Sequence, residues 1–301
     1  VIRAEEMIWF PEHYLGSRAA FGLLPNDTPD RVRRSDTGQT LGEHMTISGF
    51  DPQPIRDGQA QFDAKRIRAF VEVHIEQGPV LVEADLPIGI VTGIRGNIRH
   101  RFASITGETT HAGGVPRASR RDAVMAGSEL VSSLEQWWHQ IEANGGDMVL
   151  TLGEFSTNPE RHGITKVPGH VGFTLDMRSQ NPAILDRFDA YLKARSAEIA
   201  AKRDVAIDLG PATRAAPAPM DDTVQSDLVA AAQHCNVGTM SLPSGGGHDS
   251  ATFAGLGVPS GMLFIRNENG SHNPEEHMSL DDFHCAARVL TKWARCMLSS
   301  A

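Results

Sequence analysis

The part of the sequence that most constrains the fold is a block from about Gly96 to Pro211, in which apolar segments of two periodicities alternate. Apolar residues recur at helical spacing from about Arg120 to Asn144, and Asn181-Pro182 opens a second helix. Four strand-like segments accompany these helices, at residues 101–106, 148–155, 171–177 and 205–209. Their order predicts a β-α-β-β-α-β (ferredoxin-like) unit with both helices on one face of its sheet.

The segments before and after this block both have α/β character. Phe70–Ile75 alternates apolar and polar side chains and predicts a strand that runs into a turn. We therefore predict an α/β protein in which residues 1–95 and 212–301 form one mixed-sheet domain. Residues 96–211 form a second domain inserted into the first.

Composition excludes several classes of partner. The net charge is −9 and the chain has no run of Lys or Arg, which argues against a nucleic acid or an anionic membrane as partner. The three cysteines form no CxxC pair, and no apolar stretch approaches the ~20 residues of a membrane span. We predict a soluble, cytoplasmic protein with a small-molecule partner. The chain begins at Val1 in what reads as the end of a strand, so we expect an upstream segment.

Carboxylates and histidines suggest metal chemistry. Glu5-Glu6 could supply one metal ligand and one general base, although an acidic pair is more often a solvated loop. His74 ends a predicted strand, and His272 lies in a loop rich in turn-forming residues. Either histidine could instead be a structural residue that hydrogen-bonds the backbone. Because the sequence has no short-spaced zinc motif, any metal ligands must converge from distant segments.

Three further segments have polar groups placed for binding. The backbone amides of the glycine run in Ser244–Asp249 could approach an anion closely, whereas a Ser-His-Asp triad is disfavoured because no G-x-S-x-G elbow is present. His111 lies in a loop between a strand and a helix. Arg178, near a strand end, could bind a carboxylate or form an ordinary ion pair.

Taken in order, the motifs resemble the hydantoinase/carbamoylase family of amidases, within the superfamily of dinuclear zinc aminoacylases and carboxypeptidases. The residues that carry the resemblance are Glu5-Glu6, Leu15-Gly16-Ser17-Arg18, His74-Ile75-Glu76-Gln77-Gly78-Pro79, His111-Ala112-Gly113, Arg121-Asp122-Ala123, Val167-Pro168-Gly169, Asp176-Met177-Arg178, Ser244-Gly245-Gly246-Gly247-His248-Asp249 and Ser271-His272-Asn273-Pro274.

The resemblance implies a centre with two divalent metal ions, with zinc first and manganese, cobalt or nickel as alternatives. Glu6 and His272 would hold one ion, His74 would help to hold the other, and Glu5 would be the general base. The family's remaining ligands lie upstream of the acidic pair, so this chain alone can hold at best part of the centre.

The resemblance also implies roles for the inserted domain, which would form a homodimer and act as a lid. His111 would stabilise the oxyanion. The substrate contacts it implies are Gln77, Asn97, Arg178, Gly246 and Gly247. The expected reaction is hydrolysis of N-carbamoyl-L-amino acids or related ureido acids. The alternatives are an aminoacylase or dipeptidase with the same metals, and an inactive dimerising binding protein; the histidine at position 74 favours the carbamoylase branch.

Overall fold

A computed structural model of the chain describes residue 5 and residues 7–299. The α-helices are α1 (Leu15–Ala20), α2 (Thr28–Arg31), α3 (Leu41–Ile47), α4 (Gln53–Arg56), α5 (Val80–Glu83), α6 (Ala123–Ala143), α7 (Pro182–Arg203), α8 (Asp222–His234), α9 (Asp249–Gly255) and α10 (Leu280–Ser299). The strands are β1 (Phe70–Ile75), β2 (Ile88–Ile94), β3 (Gly96–Thr106), β4 (Thr110–His111), β5 (Val149–Thr151), β6 (Phe155–Thr157), β7 (Lys166–Val167), β8 (His170–Ser179), β9 (Ala206–Asp208), β10 (Ala212–Ala215), β11 (Ala218–Pro219), β12 (Thr239–Ser244) and β13 (Ser260–Ile265).

The long helices begin where side chains cap free backbone N–H groups. Asp122 accepts hydrogen bonds from two amides at the start of α6, and Asp221 caps α8 in the same way. Asn181 caps α7, whose first residue is Pro182. The predicted start of the first long helix at Arg120 was therefore too early, because the Asp122 cap fixes the start of the helix at the next residue.

The backbone divides into two compact units. The first comprises the residues up to Ile94 together with those from Ala218 onward, and the second is Arg95–Pro217. The second division falls after Pro217 rather than after residue 211, because β10 pairs with β3 of the second unit.

The first unit is built on a mixed five-stranded sheet. Its strand order is β1-β13-β2-β11, and β12 also pairs with β2; β1 with β13 and β2 with β12 are parallel, while β13 with β2 is antiparallel. Every residue of β13 is buried, with Leu263 and Ile265 facing α8 and α10 and with Met262 and Phe264 in a second cluster. A strand that is buried on both faces has a continuous run of apolar residues in its sequence, as β13 does. Within the described residues, no helix combines the length and apolar character that crossing a bilayer requires.

The second unit has a six-stranded antiparallel sheet. Its order is β10-β3-β8-β5, with β6 paired to β8 and β9 paired to β3. Along β8, Val171, Phe173, Leu175 and Met177 are buried in one core with α6 and α7, and the residues between them are partly exposed. This period of two is expected for a sheet with helices on one face.

Two strand predictions for the second unit were wrong in extent. The segment 148–155 is two strands rather than one, because Gly153 interrupts it and the Glu154 amide donates to the Thr174 side chain instead of a ladder partner. The first strand begins at Gly96 rather than Arg101 and shifts register between His100 and Ala103. A small β4–β7 pair was not predicted; it places His111 opposite Lys166.

Candidate metal centre

His74 lies near the end of β1, where it is opposite Phe264 of β13. Its Nδ1 is 2.8 Å from the carbonyl oxygen of Ile75. Because a carbonyl oxygen can only accept, Nδ1 carries the proton, and Nε2 has a lone pair available for a metal ion. The position at the strand end is the predicted one.

His248 lies next to His74, and its role was not predicted. It is 1% exposed, and the two imidazole centroids are 4.5 Å apart. The Ser244 hydroxyl donates to the carbonyl oxygen of Gly246 over 3.1 Å, so it must accept from His248 Nε2, which is 2.9 Å away. His248 Nδ1 is therefore the unprotonated nitrogen, and within the described residues it makes no hydrogen bond.

Electrostatics keep this imidazole neutral. Burial, and to a lesser extent the neighbouring His74, lower the pKa of His248 to about 3. The Nδ1 lone pair is 3.8 Å from a carboxylate oxygen of Glu5. A buried, neutral imidazole with an unused lone pair facing a carboxylate is the state that a metal ligand requires.

Glu5, His74 and His248 form the one group of this kind in the described residues, with ligand atoms all within 4.8 Å of one another. One carboxylate oxygen and two imidazole nitrogens suit zinc and also manganese, cobalt or nickel. The donor set therefore fits a divalent metal ion. This group differs from the predicted ligands in two ways. Glu5 is predicted as the general base, and His272, a predicted ligand, is not a member of the group. Glu6, the predicted ligand, lies outside the described residues.

His272 and Gln77 nevertheless line the same cavity as His74, which has a volume of about 810 Å³. His272 Nε2 lies 3.3 Å from Gln77 Nε2, and the Gln77 side chain donates to the hydroxyl of Ser271. Both residues have positive φ, 58° for His272 and 61° for Gln77. Non-glycine residues adopt this conformation rarely, and such positions concentrate at functional sites.

The glycine run packs tightly beside this cavity. A Cβ on Gly247 would lie 1.8 Å from the hydroxyl oxygen of Tyr14, and one on Gly246 would lie 3.3 Å from Gln77 Oε1. A side chain at position 247 would therefore have to displace the Tyr14 hydroxyl, whereas glycine leaves the backbone of this loop exposed. Ser244 and His248 are hydrogen-bonded, but Asp249 binds Ser17 rather than His248, so these described residues do not form a Ser-His-Asp triad.

One buried and one half-buried carboxylate lie close to the centre. Burial raises the pKa of Glu72 despite its hydrogen bonds from Ser250. Burial also raises the pKa of Asp249, which accepts a hydrogen bond from Ser17. Perturbed carboxyl groups of this kind are typical of functional sites, although structural networks produce them too.

The remaining predicted residues lie in the second unit. Asn97 and Arg178 are paired across β3 and β8. The Arg178 guanidinium binds Asp176, with Nη2 to Oδ2 at 2.8 Å, so the ion pair weighed as the alternative for this residue is present. His111 is exposed on β4, and its Nδ1 accepts a hydrogen bond from the amide of Gly113 over 3.1 Å.

Comparison with known proteins agrees with these features. A model of peptidase family M20/M25/M40 matches residues 38–295. The chain is 35% identical to an N-carbamoyl-L-amino acid amidohydrolase of Geobacillus stearothermophilus, covering 96% of this chain and 68% of the relative. It is 34% identical to an allantoate amidohydrolase of Escherichia coli (strain K12), covering 95% of this chain and 67% of the relative.

Solved structures give the same assignment. An amidase of the hydantoinase/carbamoylase family from Burkholderia multivorans superposes with a TM-score of 0.82 at 26% identity, covering 97% of this chain and 68% of that one. The chain therefore spans about two thirds of the length of the proteins it matches. It belongs to peptidase family M20/M25/M40 and, within it, to the hydantoinase/carbamoylase amidases, and is thus an amidohydrolase by family.

Proposed function

We propose that this protein is a metal-dependent amidohydrolase that cleaves the C–N bond of N-carbamoyl-L-amino acids or related ureido acids. The observation that carries the proposal is the convergence of Glu5, His74 and buried, neutral His248 from three distant segments. Relatives named N-carbamoyl-L-amino acid amidohydrolase and allantoate amidohydrolase support the substrate class.

We also propose two divalent ions per subunit of the intact protein, zinc first. Glu6, His74 and His272 keep the ligand roles that the resemblance implies, and His248 is an additional candidate because its Nδ1 faces the same group. His272 shares a cavity with His74, which supports a role for both at one centre.

When bound, a divalent ion polarises a carbonyl oxygen and makes water more acidic. Glu5 would accept a proton from the attacking water and deliver it to the departing nitrogen. Its carboxylate lies 3.8 Å from His248 Nδ1, which supports a role beside the imidazoles that would hold the ion. The products from a carbamoyl substrate would be the free amino acid, carbon dioxide and ammonia.

For substrate binding we propose the roles that the resemblance implies. Arg178 would bind the substrate carboxylate, exchanging its bond to Asp176 for one to the ligand. His111, exposed on β4, would donate to the developing oxyanion, an interaction typically worth about 3 kcal/mol of barrier. The remaining proposed contacts are Gln77, Asn97, Gly246 and Gly247.

The second unit would be the ferredoxin-like lid and dimerisation domain, and we keep the cytoplasmic location as a prediction. Its single helical face supports the sandwich assignment, because the opposite face of β8 carries partly exposed polar residues such as Thr174 and Asp176. Sedimentation velocity of the second unit's Ile164→Asp variant beside the wild type tests the dimer, since Ile164 is fully exposed. A monomeric wild type would contradict this part of the proposal.

The reaction itself is tested with the purified intact protein. We expect bound divalent metal and hydrolysis of N-carbamoyl-L-amino acids or allantoate in preference to N-acetyl amino acids and dipeptides. His74→Ala should lose both metal and activity, while the matched control His234→Ala, an exposed histidine on α8, should keep both. Preference for N-acetyl substrates or dipeptides would favour the aminoacylase or dipeptidase alternative. Metal-free, inactive wild-type protein would favour an inactive binding protein.

A further inference from the structure

Two carboxylates beside the metal centre, one buried and one half-buried, have no part in the proposed chemistry. Asp249 is 2% exposed and accepts a hydrogen bond from the fully buried hydroxyl of Ser17. Half-buried Glu72 accepts two hydrogen bonds from Ser250, one from its amide at 2.8 Å and one from its hydroxyl at 2.7 Å. The first two residues of α9 are therefore bonded to two different segments of the chain.

These segments are the ones that carry the metal-binding cluster. Ser17 lies on α1, which follows the segment of Glu5. Glu72 and His74 lie two residues apart on β1, and alternate residues of a strand share one face. His248 immediately precedes Asp249 and Ser250, the first two residues of α9. The two bonds therefore tie together the three segments that bear the cluster.

We propose that Glu72 and Asp249 are positioning residues that hold the imidazoles of His74 and His248, and beside them the proposed base Glu5, at the mutual distances that the metal centre requires. This inference rests on the proposed function. The two carboxylates act through the start of α9 and through Ser17, and neither needs to touch substrate or metal. Groups behind metal ligands commonly act in this way, by fixing the orientation of the ligands.

Packing alone does not supply this orientation. Phe253 of α9 stacks on Phe70 of β1 with ring centroids 3.7 Å apart, and it meets Phe21, which follows α1, edge-on at 5.1 Å. These apolar contacts join the same three segments, but apolar burial is non-directional, whereas hydrogen bonds constrain angles. Loss of one hydroxyl should therefore leave the segments associated and disturb mainly the geometry of the cluster.

The test compares metal affinity with stability in the intact, metal-stripped protein. Ser17→Ala and Ser250→Ala are titrated with Zn²⁺ and Mn²⁺ by calorimetry, and Co²⁺ absorption spectra report ligand geometry; the second variant removes the hydroxyl that donates to Glu72. Ser17→Thr should restore the hydroxyl. The matched control is Ser260→Ala, which removes an equally buried hydroxyl (1% exposed) that donates to the carbonyl oxygen of Val258 in the same unit.

We expect the Ser17→Ala and Ser250→Ala variants to bind metal about 10- to 100-fold more weakly with an altered Co²⁺ spectrum. The Ser17→Thr variant should recover wild-type affinity, and the Ser260→Ala variant should lose stability only. If the wild type binds metal and all variants bind it equally well, or lose no more affinity than the control, the positioning inference is wrong and the proposed function stands. If the wild type binds no metal, both are wrong.

Discussion

The two units differ in the surroundings of their perturbed carboxyl groups. In the second unit, Glu129 is surrounded by three cations at the helix surface, and its carboxylate oxygens lie 2.6–3.1 Å from them. The first unit also has ion pairs, but at its candidate metal centre half-buried Glu72 and buried Asp249 accept hydrogen bonds from hydroxyl and amide groups, and His248 is buried and neutral. Titratable groups with perturbed pKa values concentrate at functional sites. The contrast supports the candidate metal centre in the first unit.

Backbone conformation shows the same contrast. Among the described non-glycine residues, the second unit has a positive φ only at Asp204, which ends α7 in the left-handed conformation common at helix ends. In the first unit, Tyr14, Gln77 and His272 have positive φ beside the metal-binding cluster. This conformation costs about 1–3 kcal/mol per residue where no glycine relieves it. The backbone conformation at the site therefore lowers the stability of the first unit.

The largest effect should come from removing one member of the cluster. His74→Ala deletes an imidazole from a three-residue group, so metal content and activity should fall by more than about 100-fold, beyond the cost of losing a supporting residue. Glu129→Ala in the second unit should lower thermal stability and leave metal content unchanged. Metal analysis and calorimetric melting would measure both. Loss of metal from the Glu129→Ala variant would break the contrast between the units.

A second effect concerns the tight glycine loop. Gly247→Ala places a methyl group on the Tyr14 hydroxyl, so the free energy of unfolding should fall by about 1–3 kcal/mol and substrate affinity should weaken. Gly145→Ala is the comparison in the second unit, where a Cβ meets nothing within 4 Å and only the positive φ of 73° is unfavourable. Adding Tyr14→Phe to Gly247→Ala should recover part of the loss. Chemical denaturation of the variants measures these effects, and an absence of recovery would show that the clash is not the cause.

In a smaller effect, of about 1 kcal/mol or less, the contributions of one carboxyl group in each unit to the free energy of unfolding should depend on pH in opposite directions. The hydrogen bond from Lys202, together with Arg203, lowers the pKa of Glu129, so its stabilising contribution exists above the ordinary value of 4.5 and is lost as pH falls. Burial raises the pKa of Glu72, so its contribution is present below 4.5 and is lost as pH rises.

The matched variants are Glu129→Gln and Glu72→Gln in metal-free protein. With rising pH above 4.5, the wild type should gain stability relative to the first variant and lose it relative to the second. Urea unfolding between pH 4 and pH 8 measures both differences. Differences of the same sign would refute the contrast.

The sequence predicted those features that depend on local pattern. Alternating polarity identified β1 and placed His74 at its end, and helical periodicity identified α6 within a few residues. His248 was missed because its role depends on burial against β1 and Phe264, which no local pattern reports. The available signal was a histidine in a glycine run just before a helix that starts with Asp249. The break between β5 and β6 at Gly153 depends on the Thr174 side chain of the neighbouring strand, so no local sequence pattern indicates it.

The last prediction concerns the protonation state of the residue at the centre of the comparison. The pKa of His248, lowered to about 3 by burial and by His74, lies below its ordinary value of 6.5, so the folded protein should keep this ring neutral between pH 5 and pH 8. The unfolded chain takes up a proton below 6.5, so this contribution to stability exists above that value and is lost as pH falls toward 3. Nitrogen-15 NMR of the metal-free protein should show a neutral ring protonated at Nε2, because the Ser244 hydroxyl accepts from that atom. Ser244→Ala should free the tautomer to change. A doubly protonated His248 at pH 6 would mean that Nδ1 has no lone pair for a metal ion. The contrast between ion-paired Glu129 in the second unit and a neutral metal ligand in the first unit would then be wrong.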